Sequence, residues 1–125
     1  MLDTIKSFVI IALIMAPIDY IYLNSISDYF NKMIFNIQKS NLSVKYMPAF
    51  FVYLFMTFSI YHFIISKKGS LLDAFILGLC IYTVYELTNY AIIDKWPLKI
   101  VLIDSLWGGI LFALTTFIYL KLIPA

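Results

Sequence analysis

Asp19, Glu86 and Asp104 are acids set inside runs of sequence that are otherwise apolar. Each has polar or aromatic company at helical spacing. Tyr82, Glu86 and Asn89 fall at i, i+4 and i+7, so on a helix a hydroxyl, a carboxylate and an amide line one stripe, with Tyr85 and Thr88 beside it. Asp19 and Tyr22 are three apart, and Asp104 shares a helix face with Trp107 and with Gly108, where the missing side chain leaves room. Acids so placed act by holding something positive. An ionised Asp at the centre of a membrane span costs about 2.5 to 3.5 kcal/mol, and its short side chain does not reach the headgroups as Lys does. No Lys is at hand to pair with them, so the balancing charge must be bound protons, a metal or other cation, or the cationic group of a substrate. The structural alternative is that protonated carboxyls bond to Tyr, Thr and Asn of neighbouring helices and hold a bundle together, at about 0.6 to 2 kcal/mol per contact.

Membrane spans are the elements that must position these acids. Of the 125 residues, 63% are hydrophobic and 13% charged, far outside the range of soluble domains. Long uncharged runs alternate with short patches containing Lys, which predicts four spans at roughly 5–26, 46–65, 71–93 and 98–120. The fold expected is an all-α membrane protein, a single domain over 1–125, with four transmembrane helices in an antiparallel bundle. The first and third spans run toward the same side, and the fourth starts from it. Counted from the span ends at about 1.5 Å per residue, the three acids all lie roughly 10 Å below one membrane surface.

The connections are short except the first. "SKKGS" and "DKWPLK" are tight, so helices 2, 3 and 4 are expected to pack as consecutive neighbours; Trp96 suits the headgroup region and Pro97 the first turn of the last helix. In the long first loop, Tyr29, Phe30, Met33, Ile34 and Ile37 recur at helical spacing against Asp28, Asn31, Lys32, Asn36 and Lys39, which predicts an amphipathic helix lying in the interface. Small residues four apart, Ala74 with Gly78 and Gly109 with Ala113, mark close helix contact. The apolar run after Lys6 continues past Pro17 without a small-x-small site, so it reads as an uncleaved span rather than a secretory signal.

Other chemistries find little support. A net charge of +2, with all nine basic residues Lys and most near span ends, fits anchoring to lipid phosphates and not nucleic-acid binding. His62, the one histidine, is expected at the opposite end of the bundle from the acids, so a zinc set of several His or Cys cannot form. There is no nucleophile elbow, P-loop or potassium-filter signature. The single Cys80 forms no intrachain disulfide and is expected to be a packing residue.

"DYIYL" (19–23), "PAFFVYL" (48–54) and above all "AFILGLCIYTVYELTNYAIIDKWPLKIVLIDSLWGG" (74–109) resemble a bacterial membrane-protein family catalogued as domain of unknown function 2177. Tyr85, Glu86, Thr88, Asn89, Trp96, Asp104, Trp107 and Gly108 carry the resemblance, which covers essentially the whole chain. It implies an integral, multi-pass membrane protein of four helices and no assigned activity. Two positions depart from the family pattern: Glu86 stands where Asp is usual and Tyr22 where Trp is usual. The longer acid favours proton or organic-cation binding over a rigid metal cage.

The function expected is proton or cation handling, or transport of a small solute, through a carboxylate cluster of Asp19, Glu86 and Asp104. Tyr22, Tyr82, Tyr85, Thr88, Asn89 and Trp107 are the accompanying ligand residues. The partners expected are membrane lipids and further copies of the chain, because four helices leave little room for a pathway within one subunit. Two alternatives come from other classes: a membrane-embedded lipid-modifying enzyme or its accessory subunit, with paired carboxylates as general acid and base, and a structural membrane or envelope protein.

Overall fold

The computed structural model describes residues 2–123, whose regular elements are helices throughout. They are α1 (Leu2–Gln38), α2 (Tyr46–Ile60) continued by a π turn (Tyr61–Ile65), α3 (Leu71–Ile92) and α4 (Leu98–Leu122). Each of the four is long and apolar enough to cross a membrane. Many large apolar side chains, among them Leu13, Phe50, Phe55, Val84 and Leu102, are exposed on the outside of the helices, which in water would be untenable and in lipid is the natural surface.

α1 differs from expectation. The amphipathic segment of the first loop is not a separate interfacial helix; it forms the last turns of one continuous helix of 37 residues. No Gly or Pro occurs between Pro17 and Gln38, so nothing in the backbone stops the helix where the sequence turns polar. At about 1.5 Å per residue such a helix is roughly 55 Å long, well beyond the ~30 Å of a hydrocarbon core. Its apolar stripe is used: Met33 is buried with Trp96, Ile100 and Val101, and Tyr29, Phe30, Ile34 and Ile37 pack around them.

α3 opens with a full capping box. Asp73 N–H donates to Ser70 Oγ at 3.0 Å, while Ser70 N–H donates to Asp73 Oδ2 at 2.9 Å. α4 has no such cap: Pro97 takes the N-cap position, one residue ahead of the first turn in which it was expected. Three lysines at or just beyond the ends of helices have positive φ, Lys39 at 61°, Lys68 at 53° and Lys95 at 68°, where glycine is the usual residue.

α4 is the helix the others surround. Half of its most apolar window is buried, against 17%, 22% and 17% in α1, α2 and α3. α3 lies closest to it. A Cβ on Gly78 would collide with the Gly108 carbonyl oxygen and lie 2.7 Å from Phe112 Cγ, and one on Gly108 would enter the Tyr82 side chain. The space expected at Gly108 is therefore filled by Tyr82. α1 crosses α4 through Ser7–Tyr119, Asp19–Trp107 and Tyr22–Asp104, pairs whose order shows that the two helices run oppositely. α2 is joined to α1 by Thr4–Tyr61, Phe8–Phe58 and Tyr53–Asp19. Helices 2 and 3 were expected to pack side by side; instead a cavity of about 640 Å³ lies between them, bridged by Tyr82 and Met56. Cys80 is exposed on the outer face of α3 and is not in the packing.

Candidate functional site

The stripe of α3 that faces α4 is Ala74, Gly78, Tyr82 and Glu86, one residue every four. Small residues at its start bring the two backbones together, and the same face then delivers Glu86, which is 1% exposed. On α4, Asp104 lies one turn before Trp107 and Gly108. On α1, Asp19 is buried and Tyr22 half-buried. These side chains form a polar layer between two apolar clusters, one built around Ile11, Met15, Leu111 and Phe112 and the other around Met33, Trp96, Ile100 and Val101.

Contacts within the layer run from one acid to the next. Trp96 Nε1 donates to Glu86 Oε1 at 2.9 Å. The Glu86 carboxyl lies beside that of Asp104, and Tyr22 Oη donates to Asp104 Oδ1 at 2.9 Å. The Tyr22 ring stacks on Trp107, with centroids 4.4 Å apart and planes within 6°. Trp107 Nε1 donates to Asp19 Oδ1 at 3.0 Å, and the Tyr53 hydroxyl donates to Asp19 Oδ2. Every donor in this network is neutral: two indoles and two phenols. A carboxylate accepts from such donors readily.

Some expected ligands are outside the network. Thr88 is exposed and turns back to its own helix, donating to the Val84 carbonyl at 2.6 Å. Tyr85 is exposed on the wall of the α2–α3 cavity. Asn89 is half-buried and accepts, by its main-chain oxygen, the Ile93 N–H. Tyr82 directs its hydroxyl to Met56 Sδ at 3.5 Å. His62 lies in the π turn, stacked on Phe58 and beside Lys67. Among the described residues no three His, Cys, Asp or Glu side chains converge closely enough to hold a metal ion.

Two members of the network were not among the expected ligands. Tyr53 lies seven residues into α2, so the depth count that aligned the acids also aligns it with Asp19. Trp96 was assigned to the headgroup region, yet it is 7% exposed with its N–H on Glu86.

A family model described as "Predicted membrane protein (DUF2177)" matches residues 4–120. The chain belongs to this family. No curated protein and no solved structure matches it. Of the residues that carry the family resemblance, Glu86, Trp96, Asp104 and Trp107 are the ones in mutual or linked contact, and Gly108 makes room for Tyr82 behind them.

Proposed function

We propose that this member of the family is a small transporter-like protein of the membrane interior, working as a homo-oligomer, in which Asp19, Glu86 and Asp104 take up a proton or a positively charged solute. The observation that supports this reading most directly is that Glu86 and Asp104 lie side by side and Asp19 near them, with neutral Trp96, Tyr22, Trp107 and Tyr53 as their hydrogen-bond partners and not a lysine. Like charges in a low-dielectric layer repel strongly unless a proton or cation joins them. Tyr22 and Tyr53 add hydroxyls that both donate and accept, which suits a proton passed along the layer, whereas the indoles only donate and so hold the acids in place.

The test is proton and cation flux in proteoliposomes, followed with an entrapped pH dye and a labelled monovalent cation. The triple variant Asp19→Asn, Glu86→Gln, Asp104→Asn is expected to abolish the flux while retaining helical circular dichroism. Flux equal to that of the unmodified chain would remove the proposal.

A further inference from the structure

The cavity between α2 and α3 has a wall and a charge that together specify an occupant. Its volume is about 640 Å³, within the range that holds a drug-sized molecule. Phe51, Phe55 and Met56 of α2 face Ile81, Tyr82 and Tyr85 of α3 across it, and Asp104 is the one charged group in the lining. Phe51, Phe55 and Tyr85 are exposed, so the opening is on the apolar outer surface of the helices. Entry is therefore from the hydrocarbon of the membrane rather than from water. A hydrated inorganic ion would leave this apolar wall unfilled, and a neutral lipid chain would leave the carboxyl unmatched. A single positive centre on an apolar body satisfies both, and the tyrosine rings add faces that attract a cation.

We propose that the α2–α3 cavity binds a monocationic amphiphile taken laterally from the membrane, with its positive centre at Asp104 and its apolar body between Phe55 and Tyr85. This deepens the proton- and cation-handling reading and rests on it: the positive centre of the ligand would balance the same carboxyl layer. Occupation of the groove by a second copy of the chain is the competing possibility.

Labelled tetraphenylphosphonium is the probe, bound at equilibrium to the full chain in lipid nanodiscs, with empty nanodiscs as the blank and uncharged triphenylphosphine oxide as competitor. Saturable binding is expected, weakened about tenfold or more by Asp104→Asn, and likewise by Val52→Trp, which puts an indole into the cavity from its α2 wall. Affinity in either variant equal to that of the unmodified chain, or displacement by the neutral competitor at matched concentration, would overturn the inference, as would loss of phosphonium binding when two copies of the Val52→Cys variant are cross-linked across the groove. If wild-type protein binds no phosphonium yet moves protons, this inference fails and the broader reading stands; if it moves neither protons nor cations, both fall.

Discussion

Glu86 and Trp96 form the one wholly buried side-chain hydrogen bond among the described residues. Both are buried, so the indole N–H is a designated partner and not an incidental one. Removing it by Trp96→Phe leaves a buried carboxyl oxygen short of a donor, at a cost of about 1–3 kcal/mol. Thermal unfolding in detergent should show that loss, and should show a smaller one when Glu86→Met is already present, since the oxygen that needs the donor is then gone. The acids themselves were legible in the sequence because a charge in an apolar run stands out. Their donors were not. Tyrosine and tryptophan occur throughout a membrane protein as interface anchors, so composition gives Trp96 and Tyr53 the same appearance as Trp or Tyr at a headgroup. Thr88 looked like a ligand because it is close to Glu86 in sequence, but two residues along a helix point about 200° apart; Asn89 shares the Glu86 stripe, yet no side-chain bond joins it to the acids.

At the scale of elements, the α3–α4 pair sets the positions of two of the three acids, and glycine sets the pair. The nearest neighbour of a Cβ on Gly78 is main chain, which cannot swing aside, whereas on Gly109 it is the edge of the Phe75 ring, at 2.7 Å, which can. Gly78→Ala should therefore destabilise by about 1–3 kcal/mol or more and Gly109→Ala by less, an order that thermal denaturation of the two variants will check. The four spans were readable from hydropathy, and their observed limits lie within a few residues of those expected except in α1. There the span was expected to end at about residue 26, and the helix instead runs on through Asn24, Ser25, Ser27 and Asp28. Hydropathy reports the medium a helix passes through, not where its hydrogen bonds stop. The separation of α2 from α3 was hidden for a related reason: a short connection fixes which helices are joined, while closeness depends on side-chain volume, and large aromatics on α2 face no glycine across the gap.

For the whole molecule, the outward faces of the helices are apolar and α4 is the buried axis. Cys80 lies on one such outward face. In sealed vesicles it should resist a charged, impermeant maleimide and become labelled once SDS unfolds the chain, as read by intact-mass spectrometry; labelling before unfolding would place that face of α3 in water. The lysines at Lys39, Lys68 and Lys95 bear on the same geometry. Each occupies a backbone conformation that costs a residue with a Cβ roughly 1–2 kcal/mol. Each also puts an ammonium on a long flexible stem at the mouth of a helix, where lipid phosphates and the helix dipole both favour it. Such amines act as floats on the two faces of the bilayer. Anchored in that way, the bundle would hold its carboxyl layer at one depth through side chains that never meet it.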